Sequence, residues 1–452
     1  MQESKTTALF EKAPISEAVL KNALPAMAAM LMTLIYNLAD TFFVGQTHDA
    51  FQVAAVSLAM PVFLIFMAVG MVFGMGGTSV ISRALGQKRN NYAKKVCSFC
   101  MWGSVITGIT MAIFFLIFMD KILILVGASQ DTLNYAKSYL TIVSFGGPFV
   151  LISSAFSNII RAEGKSKEAM MGQVLGNLLN VVLDPIMILL LGWNITGAAV
   201  ATVIGNLFGG CYYICYFVQG KSSLSISTKE LKQEGNVFAP VFSIGIPAAL
   251  GSLLMSVSQI VINSQLSTYG DMAVAGMGVA MKVVTITGMI CIGLGQGVQP
   301  LLGYCVGAKL WERFKKAFRF SILFALALGA TLTAISYLFT NQIVHMFLTD
   351  PDAYSYAVEF SRILLTTSFL FGVFYVLVNT LQAMGAATSA LIINLSRQGI
   401  IFIPALFILH AMIGINGLIW AQPVADILSI IFALILYRCV SQKMMIANGL
   451  EN

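Results

Sequence analysis

Long runs of apolar residues alternate with short polar segments along the whole chain. The runs fall near residues 16–45, 53–82, 95–119, 133–160, 168–192, 195–219, 238–267, 273–306, 317–340, 354–383, 388–410 and 413–438. A helix needs roughly 20 mostly apolar residues to cross a bilayer, so the pattern predicts twelve membrane-spanning helices and an all-α integral membrane fold. The first run is too long for the core of a cleaved leader and reads as a span.

The polar segments fix an orientation. Basic residues gather in alternate segments: Lys5, Lys12 and Lys21; Arg83, Lys88, Arg89, Lys94 and Lys95; Arg161, Lys165 and Lys167; Lys221, Lys229 and Lys232; Lys309, Arg313, Lys315, Lys316 and Arg319; Arg438 and Lys443. The other segments keep Lys121 and Lys137 among acids such as Asp49, Asp120, Asp131, Asp271, Asp350 and Asp352. Because positive loops stay on the cytoplasmic side, both termini are expected in the cytoplasm, with the chain threaded many times through the plasma membrane.

The second half lies on the first with an offset of about 220 residues. Pro25 meets Pro247, Ala54 meets Ala275, Gly76 meets Gly297, Gly86 meets Gly307, Asn158 meets Asn379, Gly164 meets Gly385 and Gly197 meets Gly417. Six spans per half is an even number, so the halves share one orientation and form a parallel repeat. The expected organisation is a six-helix lobe over 1–220, a cytoplasmic linker over 221–236 and a second six-helix lobe over 237–452.

Composition agrees with this picture: 58% of the residues are apolar and 10% charged, far from the balance of soluble domains. The net charge of +7 is spread through short loops and not along one face, so it reads as topology and excludes a nucleic-acid binder. Cys97, Cys100, Cys211, Cys215, Cys291, Cys305 and Cys439 sit almost entirely within apolar runs and read as packing thiols. The CxxC of Cys97 and Cys100 has neither a second pair nor a nearby histidine to complete a zinc site. His48, His345 and His410 are too scattered for a metal centre or a catalytic triad, and no enzymatic apparatus or cofactor is expected. The tripeptide Gly164–Ser166 lacks the earlier glycine of a phosphate-binding loop. Gly293, Gly295 and Gly297 lie inside a span, where close helix packing accounts for them.

Ionisable residues within spans are costly and so mark candidate chemistry. They are Asp40, Asp184, Lys282, Arg397 and Asp426. Asp40 lies about 19 residues beyond Lys21 and Asp184 about 17 beyond Lys167; at about 1.5 Å per residue both reach a similar depth in the outer part of the membrane. Asn180 shares a helical face with Asp184, Tyr36 shares one with Asp40, and Thr202 reaches the same level on span six. Asp40, Asn180, Asp184 and Thr202 thus offer carboxylate, amide and hydroxyl oxygens at one depth, a set that suits either Na⁺ or H⁺. The second half has Ile262 opposite Asp40 and an apolar residue, Ile403, opposite Asp184, so this site is one-sided. Arg397 and Asp426 are expected to pair with each other. Lys282 has no obvious partner and is expected to face a central cavity. Pro25 and Pro247 interrupt the first helix of each half, and Pro25, on the helix of Asp40, is a candidate hinge. Met67, Met71 and Met75 follow one face of span two; with 24 methionines and 31 phenylalanines in the chain, a soft, aromatic lining would suit lipophilic cations.

Five stretches carry a family resemblance: the segment from Leu24 to Gly45, the SRALGQ of Ser82–Gln87, the NIIRAEG of Asn158–Gly164, the NLLNVVLDP of Asn177–Pro185 and the TGAAVATVIGN of Thr196–Asn206. Together they resemble the multidrug and toxic compound extrusion (MATE) family over essentially the whole chain. The resemblance implies two pseudo-symmetric six-helix bundles around a central cleft, and antiport of lipophilic organic cations against Na⁺ or H⁺, with a role in drug resistance. It is nearest to the DinF-like branch, whose ion site lies in the N-terminal lobe and maps onto Asp40, Asn180, Asp184 and Thr202. Tyr36 and Asn158 match positions lining that lobe's cavity. Another branch uses acids in spans seven and ten, where this chain has Ser258, Gln259, Tyr375 and Asn379. A monomer with small cations and membrane lipid as its partners is expected; a flippase for a lipid-linked precursor is the alternative within the superfamily.

Overall fold

In the computed structural model, which describes residues 8–47, 50–348 and 350–447, every regular element is helical. Lys5, His48 and Asp49 lie outside the described residues. The first half contains α1 (Ile15–Gly45), α2 (Ala50–Gly86), α3 (Asn90–Val126), α4 (Gln130–Ala162), α5 (Ser166–Asp184), which runs on through a π-helical segment Pro185–Leu190, and α6 (Asn194–Val218). The second half contains α7 (Phe238–Leu266), α8 (Asp271–Gly307), α9 (Trp311–Leu338), α10 (Pro351–Ser368), α11 (Phe371–Ala383), α12 (Ala387–Leu395), a π-helical turn Ser396–Ile400, α13 (Phe402–Ile413) and α14 (Ile415–Ala447). Helix is the form in which a segment satisfies its own backbone in hydrocarbon. Eleven of these helical segments are long and apolar enough to span, and the pair α10 and α11, bent by 48°, makes the twelfth. The fold class is therefore the one the apolar pattern predicts.

Helix ends follow local chemistry. Gly127 closes α3 at φ 102°, and Ser129 opens α4 through a reciprocal capping box with Thr132. Asp350 caps α10 by accepting from the backbone N–H groups of Asp352 and Ala353, each at 3.0 Å.

The repeat is visible in backbone geometry. After α2, Lys88 takes a left-handed φ of 60° and Arg89 N–H donates to Ala84 O at 2.9 Å; after α8, Lys309 takes 57° and Leu310 N–H donates to Cys305 O at 2.9 Å. Gly164 (φ 76°) and Gly385 (φ 79°) close α4 and α11 in the same way, each donating to the carbonyl three residues back. These turns require positive φ, which is why the glycines recur there.

The chain forms two compact units, one built from Ala28–Ile246 with the residues up to Glu11, the other from Lys12–Met27 with Pro247–Asn452. The division thus runs through α1 and α7, and not at the ends of the polar segment 221–236 where a linker was expected. In the second unit, the start of α1 packs on α8: a methyl on Gly297 would meet Ala23 Cα at 2.5 Å, and one on Gly293 would meet Met27 Cα at 2.6 Å. In the first unit, Gly76 of α2 lies in the same manner against the backbone of Val241 at the start of α7. The glycines of the α8 span are packing glycines, as their apolar setting implies. Residues 221–236 belong to the first unit and are strapped along α3: Ser98 donates to Ser227 O at 2.8 Å, Trp102 Nε1 to Ile226 O at 3.1 Å and Tyr92 OH to Asn236 O at 2.8 Å. Buried Glu163, just past α4, accepts from Tyr216 OH, Ser222 OH and both the N–H and the hydroxyl of Ser223.

Candidate functional site

Three helices of the first unit carry the polar residues singled out above. On α5, Asn180 and Asp184 are four residues apart and share a face. Pro185 has no N–H to return to the carbonyl of Val181, and the helix widens into its π-helical segment immediately after the acid. Helix α6 approaches α5 where both are glycine: a methyl on Gly176 would meet Gly205 O at 2.7 Å, and the reverse contact is the same. That closeness brings Asn180 Nδ2 to Thr202 Oγ1 at 3.3 Å. From α1, Tyr36 hydrogen-bonds Thr202 and lies within electrostatic reach of both Asp40 and Asp184. Asp40 and Asp184 act on each other in turn.

The site is rich in oxygen that nothing satisfies. Asp184 is fully buried and neither of its carboxylate oxygens has a hydrogen-bond donor; Oδ1 of half-buried Asp40 and Oδ1 of Asn180 share that condition. A buried carboxylate without donors is expensive, and what relieves it is a proton or a hard cation. The oxygens present are the types that Na⁺ accepts, and among the described residues there is no cluster of three histidine, cysteine or acidic side chains that would suit a transition metal. Beside these groups is a small polar cavity of about 20 Å³ lined by Tyr36, Gln173, Asn177, Asn180, Thr202 and Asn206 among others.

The sequence model of the MatE family matches residues 25–186 and, a second time, residues 247–408. The chain belongs to the MATE family. The two matches begin at Pro25 and Pro247, the offset seen in the landmarks. Among curated relatives, the multidrug export protein MepA of Staphylococcus haemolyticus is 33% identical over 417 residues, covering 92% of each chain. The protein of the same name from Staphylococcus aureus (strain MSSA476) is 32% identical over 435 residues, covering 96% of each. Among solved structures, a multidrug resistance MATE family transporter of the MOP superfamily in an outward-facing conformation superposes with a TM-score of 0.94 at 23% identity, over 98% of this chain and 99% of the other. As a MATE protein the chain is a multi-pass membrane transporter and not an enzyme.

Two expected residues behave differently from their neighbours. Asn158 is buried, but its amide donates to Ser154 O at 3.0 Å and its oxygen accepts from Arg161 Nη1 at 2.9 Å. It thereby joins a second network in which Arg161 Nη2 donates to Gln173 Oε1 at 3.1 Å, and Gln173 and Asn177 both donate to Thr33 at 2.9 and 3.0 Å. Lys282, expected to lack a partner, has one: its ammonium lies 4.8 Å from the ring centroid of Phe347. Phe347 lies in the turn after a short helix, Thr340–His345, so no helical spacing links it to Lys282.

Tyr139 of α4 also borders the group around Asp40 and Asp184, though its place in an apolar run gives it no mark of its own. It is buried and lies within electrostatic reach of Asp40, Asp184 and Tyr36. The signal lies in the repeat: the offset that lays Asn158 on Asn379 lays Tyr139 on Phe360, so the phenol occurs only in the half that has the acids.

In the second unit Arg397 and Asp426 pair as expected, with Nε to Oδ1 at 2.7 Å and both side chains buried.

Proposed function

We propose that this MATE protein is a multidrug efflux transporter of the plasma membrane that exports lipophilic organic cations in exchange for H⁺ or Na⁺. The coupling ion is held by Asp40, Asn180, Asp184 and Thr202, with Tyr36 and Tyr139 beside it, as in the DinF-like branch. One observation carries the reading: buried carboxylate and amide oxygens from two helices converge with no donors of their own. Export itself is supported by the multidrug export proteins that the chain resembles over nearly its full length.

In the cycle that follows, the carrier facing outward takes up the ion at Asp40 and Asp184. This removes negative charge from the unit, weakens its hold on a cationic cargo and lets the cargo leave. The ion-loaded form returns inward with both termini on the cytoplasmic side, and ion release restores affinity for the next cation. Pro25, two residues before the seam at which α1 passes from one compact unit to the other, is the hinge, and the protein works as a monomer. A lipid-phosphate flippase would need free cationic side chains, and Arg397 is committed to Asp426.

Ethidium efflux in everted vesicles tests this, driven by a proton gradient alone and then by a sodium gradient alone. One gradient should drive efflux in the parent protein and fail to do so in Asp40→Asn. Efflux by Asp40→Asn equal to that of the parent, at equal expression, removes Asp40 from the mechanism.

A further inference from the structure

The second unit has no counterpart of the Asp40 and Asp184 pair, yet at the repeat-equivalent of the first unit's polar cavity it has a complete cation site. The offset that lays Asn158 on Asn379 also lays Ser153 on Phe374 and Gly176 on Arg397. The offset that lays Gly197 on Gly417 lays Thr202 on Gln422 and Asn206 on Asp426. Ser153, Gly176, Thr202 and Asn206 all line the cavity of the first unit. Their four counterparts form one cluster: Phe374 and Asp426 contact the guanidinium of Arg397, and Gln422 donates to Asp426.

We propose that Arg397 is a tethered cation that permanently occupies the second unit's version of that cavity, so that this unit carries on its own chain the positive charge that the first unit takes from solution.

The geometry of a bound cation is all present. Asp426 Oδ1 accepts from Arg397 Nε at 2.7 Å and from Gln422 Nε2 at 2.9 Å, and Oδ2 accepts from Thr367 Oγ1 at 3.1 Å. The guanidinium carbon sits 4.6 Å from the ring centroid of Phe374 and 4.8 Å from that of Phe371, an aromatic clamp suited to a planar cation. Arg397 rides on the π-helical turn Ser396–Ile400. The carbonyl of Gln398 in that turn accepts from Ser258 of α7. In the first unit the equivalent residue is Gly176, which lines the cavity and brings no cation of its own. A guanidinium never loses its charge in a protein, so this site neither binds nor releases an ion during a cycle.

An ordinary structural ion pair and a tethered cation make different demands on what replaces the arginine. If Arg397 only balances charge, removing both charges restores the unit and no solute matters. If it fills a cation site, truncation leaves a pocket shaped for free guanidinium. Thermal unfolding in detergent and ethidium efflux in proteoliposomes should therefore be measured for Arg397→Ala, with millimolar guanidinium chloride compared against equal concentrations of urea and sodium chloride. The expected result is a lowered Tm that guanidinium alone raises, with efflux recovering several-fold. The parent protein and the double variant Arg397→Ala, Asp426→Asn should not respond. Should Arg397→Ala not survive extraction, Arg397→Gln is read in the same assays. Guanidinium that fails to protect the variant, or protects the double variant equally, overturns the proposal. The inference leans on the ion-coupling reading of the first unit only for its meaning. A failure of that reading would show in Asp40→Asn efflux, which leaves the guanidinium response unaffected.

Discussion

The amide of Asn180 donates to the hydroxyl of Thr202 at 3.3 Å, while the carbonyl oxygen of the same side chain is buried with no donor. Thr202 thus fixes which end of the amide is left without a partner, the end that the proposed ion site uses. Thr202→Val keeps the shape but orphans the amide, at a stability cost of about 1–3 kcal/mol. It frees the amide to turn, and the ion concentration for half-maximal efflux should rise about tenfold. Thr202→Ser should stay within about twofold of the parent. The titration of efflux against ion concentration measures both; equal half-saturation in Thr202→Val and the parent would exclude Thr202 from the ion shell.

Asp184 should behave as an acid kept for function at the expense of stability. Its two oxygens have no donors, it is fully buried, and it repels Asp40. Asp184→Asn removes a buried charge and the repulsion together, so Tm should hold or rise, while coupled efflux should fall by about tenfold or more. A structural acid would give the opposite sign, a lower Tm with efflux per folded molecule preserved.

Close packing of α8 on the start of α1 gives a test independent of transport. A methyl on Gly297 would meet Ala23 Cα at 2.5 Å and Asn22 O at 2.7 Å, both backbone atoms that cannot swing aside. Gly297→Ala should cost about 1–3 kcal/mol. On the same helix Gly278 has nothing within 4 Å, and Gly278→Ala should be neutral or stabilising by up to about 1 kcal/mol through helix propensity. Tm values of the two variants in one detergent decide the matter, and similar losses in both would refute the packing account.

What the sequence discloses and what it hides divide along physical lines. The spans, the repeat and the pairing of Arg397 with Asp426 are legible because hydrocarbon tolerates neither broken apolar runs nor lone charges. The proximity of Asn180 to Thr202 and of Asp40 to Asp184 is legible because helical rise is fixed. Tyr139 hides because a tyrosine in a span looks like any other aromatic until it is set against Phe360. The partner of Lys282 hides because Phe347 reaches it through tertiary packing. The seam hides as well: nothing in the residues before Pro247 says that they pack against α2, or that those before Ala28 pack against α8. Backbone contact at Gly76 and Gly297 decides that, and a glycine alone does not name its neighbour.

Pro25 offers the sharpest test of how the seam works. It stands inside α1, where the missing N–H leaves the carbonyl of Lys21 without its helical donor. The chain passes from one compact unit to the other just beyond it, between Met27 and Ala28. Pro25→Ala restores the hydrogen bond and stiffens the crossing, so Tm should rise, by an amount corresponding to about 1–3 kcal/mol. If α1 must flex there in each cycle, efflux should fall several-fold at equal expression even though the protein is more stable, and the affinity for ethidium measured without a gradient should be unchanged. A raised Tm with full efflux would instead make the kink static and place the moving part elsewhere, and Pro247→Ala at the matching seam in α7 would be the variant to measure next. A gain in stability combined with a loss of turnover is what a hinge predicts and what a packing defect does not, because a packing defect lowers both.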